Sequence, residues 1–379
     1  MLRIISIGND RNIFNPQSGV AQRMVEYGTI FGELHVVVLA LANLGFHPLK
    51  LSNNVFVYPT NSASKLKYIF DAIKIGKELA QSIYFGQTVI STQDPYDTGP
   101  VGIALKRKFK LPLQIQIHTD IFSKQFYDGS ILNWLRFQVS KWTLRRADGI
   151  RVVRKKIAQD LIDNFKIDSK KVTVLPVFVD IKKIHDSPIS VDLRMRYRKW
   201  NEIVLVASRL STEKRIDVAL MAFAQTLKKF PKAGMVIVGH GGEESRLMQK
   251  VQRLKLSENV VFEPWQQDLS SYYKTATLFL NTSDFEGFGM TLIEAAASGC
   301  TIVTTKVGVA EDMLQDGRSA LICPIGDERC LATKLEILFE NPAIAKSLSS
   351  EALKAIEVLN FSKEEYLNRY LSAVTAISK

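Results

Sequence analysis

The chain has 379 residues, 46% of them hydrophobic and 23% charged, with a formal net charge of +12. That length exceeds what one hydrophobic core organises, which predicts two domains, and the composition excludes a disordered chain. The longest apolar run, HVVVLALANLGF, is too short to cross a membrane as a helix, and the charge comes without zinc-finger spacing or an RNA-binding aromatic signature, so nucleic acid is not an expected partner.

In chain order, short β-branched runs alternate with amphipathic helical stretches, the pattern of parallel sheets flanked by helices. The first half carries LRIISI, HVVVLAL, NVFVYP, TVIST, LPLQIQIH, GIRVV and KVTVLP. Helix-like segments such as SASKLKYIFDAIKIGKELAQSIYF and SILNWLRFQVSKWTLRRA lie between them. The second half restarts the pattern with EIVLVAS, GMVIVG, NVVFEP, ATLFLNTS, TIVTT and SALICP. Its first helix, read from Arg215 to Phe230, places Ile216, Leu220, Phe223, Leu227 and Phe230 on one stripe, as a core-facing helix requires. The expected organisation is a domain over 1–180, a linker over 181–200, a second domain over 201–358, and a C-terminal helix over 359–379 packing back on the first domain.

Three further readings concern compartment and partners. Cys300, Cys323 and Cys330 form no CxxC pair and read as reduced thiols with no zinc site, and the start MLRIISIGND lacks the features of a signal peptide, which together predict a cytoplasmic protein. Basic residues crowd Arg136, Lys141, Arg145, Arg146, Arg151, Arg154, Lys155 and Lys156, and again Arg194, Arg196, Arg198 and Lys199. Such runs are either a solvated face or a surface for an anionic membrane or lipid-linked acceptor.

Open parallel sheets bind ligands beyond the carboxyl ends of their strands, so the residues just after each predicted strand are the candidates. After LRIISI comes a loop reaching Ser18-Gly19; after LQIQI comes His118; after EIVLVAS comes Arg209, with Lys214 in the same loop. After GMVIVG comes Gly239-His240-Gly241-Gly242, which lacks the spaced fingerprint of a dinucleotide site. After ATLFLNTS comes DFEGFGMTLIEA. Taken singly, each residue has an ordinary structural reading: a surface cation, a core histidine, a helix-capping glutamate. Together they suit a ligand with hydroxyls at both ends and a diphosphate between them. Gly287 and Gly289 interrupt helix formation, so Glu286 should sit in a loop, with Glu294 one turn inside the helix starting near Met290. The amides of Phe288, Gly289 and Met290 would then face a phosphate or sugar oxygen.

On these stretches the chain resembles the retaining glycosyltransferases of family 4, the group 1 transferases. The likeness spans nearly the whole chain and is densest from Ile203 to Pro324. EGFGMTLIE matches the family's paired-glutamate motif, VASRLSTEKRID its phosphate-binding segment, VGHGGEESRL its next glycine loop, and ASGCTIVTTKVGVAEDMLQDGRSALICP the stretch after the paired-glutamate helix. The resemblance implies the GT-B fold, α/β with two facing Rossmann-like domains, parallel sheets and a cleft between them. It implies that Arg209 and Lys214 hold a donor diphosphate, that Gly19, Gly239 and Gly241 lie near it, and that Glu294 binds ribose. Glu286 would bind the sugar hydroxyls and His118 would sit beside the transferred sugar. It also implies a nucleotide-sugar donor as co-substrate, a glycan or lipid-linked acceptor, and metal-independent transfer with retention; the basic first domain adds the expectation of a peripheral place on the inner membrane face.

Three positions depart from the family pattern. Ser18 precedes Gly19 where a glycine pair is common, Ser208 stands where glycine often precedes the arginine, and Val309 follows Gly308 in place of a second glycine. None removes a charged group, so they bear on the backbone approach to the donor more than on the reaction class. Asp10 and Asp120 are further candidates for orienting the acceptor hydroxyl. Competing readings are a catalytically silent partner subunit of the same fold, a sugar-nucleotide epimerase, and an NAD-dependent oxidoreductase; the last requires a glycine fingerprint in the first βα turn that Gly8 does not begin.

Overall fold

The computed structural model describes residues 2–82, 84, 86–266 and 268–378, which divide into two compact units. The first comprises Met1–Pro176 with Lys363–Lys379, the second Val177–Ser362.

The first unit is built on an eight-stranded sheet. Its strands are β1 (Leu2–Gly8), β2 (Glu33–Val38), β3 (Leu49–Ser52), β4 (Val55–Pro59), β5 (Gln87–Thr92), β6 (Leu113–Ile117), β7 (Gly149–Val152) and β8 (Val172–Val174). They run in the order β3-β4-β2-β1-β5-β6-β7-β8, parallel except for the β3–β4 pair. β1 and β6 are buried along their whole length, so the polar Arg3, Ser6, Gln114 and Gln116 within them are buried as well.

The C-terminal helix Lys363–Thr375 belongs to this unit. Its Tyr366 and Tyr370 are buried, and Gln114 on β6 donates from its side-chain amide to the Ala373 carbonyl at 3.0 Å. Tyr370 also packs against Tyr27 and Phe31, with ring centroids 4.7 and 5.9 Å apart.

The second unit holds six parallel strands: β9 (Glu202–Ala207), β10 (Ala233–Val238), β11 (Val260–Glu263), β12 (Leu278–Asn281), β13 (Thr301–Thr305) and β14 (Leu321–Cys323), ordered β11-β10-β9-β12-β13-β14. The helix Ile216–Thr226 buries Ile216, Leu220 and Phe223 in the core under β9 and β10. It is shorter than the sequence suggests. Arg215 enters it at φ 46, and the chain turns at Lys228–Phe230 ahead of Pro231, whose ring disfavours helical geometry in the residue before it.

Residues 181–200 carry the short helices Ile181–Asp186 and Leu193–Arg196 and lie on the second unit. Arg194 donates from Nε to the Thr275 carbonyl at 3.1 Å, and Arg196 pairs with Glu263 at 2.8 Å, which Tyr197 and Tyr272 also reach. Arg194 and Arg196 are thus tied to fixed partners although both stay exposed. The cysteine reading also changes: Cys323 at the end of β14 and Cys330 in the helix Glu328–Glu340 form a disulfide, while Cys300 alone is free and buried. The tight turn between strand and helix brings their Cα atoms to 5.9 Å, inside the range a disulfide spans.

Candidate active site

In the second unit the candidate residues occupy adjoining loops at the carboxyl ends of β9, β10, β12 and β13. The β9 loop is laced to the β10 loop by backbone hydrogen bonds from Leu210 N–H to the His240 carbonyl at 3.0 Å and from Glu243 N–H to the Leu210 carbonyl at 2.9 Å. Glycine is required for this contact. A Cβ at Gly239, whose φ is +151, would stand 1.9 Å from the Ser208 carbonyl oxygen, and one at Gly241 would stand 2.3 Å from that of Leu210. Gly239 and Gly241 thus hold the backbone on either side of Arg209 in place.

The cation expected at the diphosphate and the carboxylate expected at the sugar hydroxyls meet here. Lys214 Nζ lies 2.6 Å from Glu286 Oε1, with both side chains mostly covered, and Ser283 donates to the same oxygen at 2.8 Å. Arg209 is not part of that pair. Its side chain is 78% exposed, with Nη2 3.4 Å from Glu213 Oε1. The β12 loop is fixed from beneath: Thr282 donates to the Lys214 and Arg215 carbonyls, Asp284 N–H donates to the Glu213 carbonyl at 2.8 Å, and Arg215 pairs with Asp284 at 3.1 Å.

Gly289 caps the helix Met290–Ala297 at φ 89, a left-handed conformation that glycine alone takes without strain. The amides of Phe288, Gly289 and Met290 therefore lie at the open N-terminus of that helix, where backbone N–H groups and the helix dipole favour an anion. Gly308 admits the β13 loop against this turn: a Cβ there would come within 2.7 Å of the Phe288 carbonyl oxygen and 2.9 Å of Glu286 Cβ. Inside the helix, burial raises the Glu294 carboxyl from 4.5 to about 7, opposed by the hydroxyl of Tyr273, which donates to it at 3.4 Å.

In the first unit, Gly19 begins the helix Gly19–Gly28 behind the Ser18 cap, and a Cβ there would meet nothing within 4 Å. No packing reason explains glycine at that position, unlike Gly239 or Gly241. His118 follows β6 directly and is part-buried, its Nε2 3.2 Å from Gln116 Oε1. Burial, helped by the charges of Arg151 and Arg23, lowers its pKa to about 3, so the ring is neutral at ordinary pH. Asp10 and Asp120 have structural work. Asp10 caps the turn Arg11–Phe14, and Asp120 pairs with buried Arg154 at 2.9 Å while accepting from the Phe122 and Ser123 amides.

Ser283, Tyr273, Arg215 and Asp284 escaped the sequence reading. Only Ser283 had a usable signal, a hydroxyl in the same strand-to-helix loop as Glu286. The others act through contacts between elements far apart in the chain.

Two family profiles match the chain: "Glycosyltransferase Family 4" over residues 20–183 and "Glycosyl transferases group 1" over residues 196–355. Among curated proteins it is similar to an alpha-monoglucosyldiacylglycerol synthase of Streptococcus pneumoniae, 26% identical over 299 residues, covering 75% of this chain and 67% of that protein. The enzyme of the same name from Acholeplasma laidlawii is 22% identical, over 73% of this chain and 72% of that protein. Among solved structures, the sucrose-phosphate synthase of Thermosynechococcus elongatus superposes with a TM-score of 0.81 at 19% identity, over 98% of this chain and 97% of that one. Anabaena HepE in complex with UDP and glucose superposes with a TM-score of 0.78 at 19% identity, over 99% and 100%. At such identities the structural likeness bears on the fold alone.

Proposed function

The chain belongs to the group 1, family 4 glycosyltransferases with the GT-B fold, and we propose that it moves a sugar from a nucleotide-diphosphate sugar to a hydroxyl of a glycan or lipid-linked acceptor, with retention and without a metal. The observation that carries this reading is the Lys214–Glu286 pair at 2.6 Å beside the open N-terminus of the helix Met290–Ala297. Lys214 from the β9 loop, the Glu286 carboxylate and the backbone amides at the start of that helix lie together there, and a sugar joined to a diphosphate needs all three.

In this reading Lys214 and Arg209 stabilise the departing diphosphate, the amides of Phe288, Gly289 and Met290 hold phosphate oxygen, Glu286 accepts from sugar hydroxyls, and Glu294 accepts from ribose. Gly239 and Gly241 keep the phosphate-binding backbone in register, and Gly19 leaves room for close approach to the donor. His118 contacts the sugar. As the bond from the anomeric carbon to the phosphate oxygen breaks, the acceptor oxygen bonds to that carbon on the same face, and the acceptor proton passes to the departing phosphate. Glu286 is not the nucleophile. Its carboxylate is held by Lys214 and Ser283, a setting for positioning rather than attack.

The relatives that make alpha-monoglucosyldiacylglycerol favour a lipid acceptor, and HepE makes UDP-glucose the first donor to try. A lipid acceptor calls for a membrane-facing surface, and the helix Ile131–Leu144 supplies one in the first unit. Ile131, Leu132, Trp134, Leu135 and Trp142 are exposed on it, Lys141, Arg145 and Arg146 lie along or just beyond it, and residues 131–147 contain no acid.

The test is transfer from UDP- or GDP-hexoses to diacylglycerol or a short glycan in the presence of EDTA, with the product read by proton NMR. An α-linked product from an α-linked donor, formed undiminished in EDTA, is expected. Inversion, loss of activity with chelator, or a glycosylated Glu286 peptide trapped by mass spectrometry would contradict the mechanism.

A further inference from the structure

Beneath His118 the first unit buries a guanidinium with no carboxylate partner among the described residues. Arg151 on β7 is 2% exposed and sits opposite Gln116 of β6 in the sheet register. Its Nη1 donates to Gln116 Oε1 at 2.7 Å, its Nη2 to the Tyr366 hydroxyl at 2.8 Å and the Pro176 carbonyl at 3.0 Å, and its Nε to the Leu175 carbonyl at 3.2 Å. Gln116, itself 1% exposed, bonds through its amide nitrogen to Ser91 Oγ at 3.0 Å and to the Tyr370 hydroxyl at 2.9 Å.

The hydrogen-bonding capacities of these groups leave one arrangement. A guanidinium only donates, so the Gln116 atom facing Arg151 is the oxygen. That same oxygen lies 3.2 Å from His118 Nε2, and an oxygen with no hydrogen can only accept there, so Nε2 carries the proton. Burial, with the Arg151 charge close by, disfavours a positive charge on the ring, which leaves Nδ1 unprotonated. Nδ1 has no hydrogen-bond partner among the described residues.

We propose that Arg151, acting through Gln116, locks His118 as the Nε2–H tautomer, so that its Nδ1 accepts a hydrogen bond from a hydroxyl of the donor sugar; Arg151 and Gln116 are positioning residues for that contact. The role toward the sugar rests on the transferase reading above; the tautomer lock does not. Tyr366 and Tyr370 bring the C-terminal helix into the same network, so the last segment of the chain helps to set the state of a ring at the end of β6.

The lock is tested on the full chain with ¹⁵N-labelled histidine, whose five imidazoles are resolved by long-range proton–nitrogen NMR, His118 being assigned by its loss in His118→Gln. At pH 7 the wild type should show a protonated Nε2 and a bare Nδ1. Gln116→Leu should move His118 toward a mixture of tautomers while the other four signals stay in place, which also establishes that the variant is folded. An Nδ1–H tautomer in the wild type, or a His118 signal unmoved in folded Gln116→Leu, would overturn the proposal. In the transfer assay Gln116→Leu should lower kcat on the order of tenfold with donor KM little changed. An unchanged kcat beside a shifted tautomer would overturn the sugar contact alone.

Discussion

At the scale of single residues, the candidate site pairs groups of opposite charge, and the proposed donor would have to compete with that pairing. Lys214 and Glu286 lie 2.6 Å apart, so on the proposed reading a donor diphosphate would draw Lys214 away from a carboxylate that then turns to the sugar. Glu294 shows a different tension. Its carboxyl is raised from 4.5 to about 7 chiefly by burial, so between those values the folded chain holds a proton that the unfolded chain has released. Stability should therefore fall as pH rises through that window, by about 1–3 kcal/mol, and Glu294→Gln should flatten the dependence. Urea unfolding at pH 5, 6 and 7.5 on both proteins measures this; equal slopes for the two would contradict the burial of this carboxyl. These residue-scale properties were only half legible in sequence. The spacing of Glu286 and Glu294 showed that they occupy different parts of a turn and helix, but Lys214 reaches Glu286, and Tyr273 reaches Glu294, from other elements, and no local pattern encodes that.

Among the elements, most strands were legible because parallel strands buried on both faces read as near-continuous apolar runs, as EIVLVA and AGMVIV do. β3 was not, because LKLS is a short, partly exposed antiparallel strand at the sheet's edge, and nothing in four residues separates it from a loop. The basic clusters misled in the same way. Arg151, Arg154 and Arg196 look like surface charge in sequence, yet two are buried and the third is bound to Glu263. Among the outward cations of the first cluster lies the helix Ile131–Leu144, with its exposed tryptophans and leucines. On this account the protein should float with vesicles of phosphatidylglycerol and much less with phosphatidylcholine, the binding weakening in high salt. Trp134→Ala combined with Leu135→Ser should reduce flotation several-fold. Equal binding of wild type and double variant, or concentration-dependent self-association abolished by the same changes, would show that another partner covers this face.

For the whole molecule, the chain builds two α/β units from successive stretches and then returns its last helix, Lys363–Thr375, to the first. The family assignment rests on profiles that match both units, while the argument for donor chemistry rests on the second, where the β9, β10, β12 and β13 loops are interlocked through Gly239, Gly241 and Gly308. That division makes the central claim testable without knowing the acceptor. The measurement is a thermal-shift series with UDP, GDP, ADP, CMP and NAD in EDTA, on the wild type and on Lys214→Ala, since a ligand that binds only the folded state raises the melting temperature. The account predicts a shift with one nucleoside diphosphate, lost or sharply reduced in Lys214→Ala; a shift with NAD alone, or one that Lys214→Ala leaves intact, would contradict it.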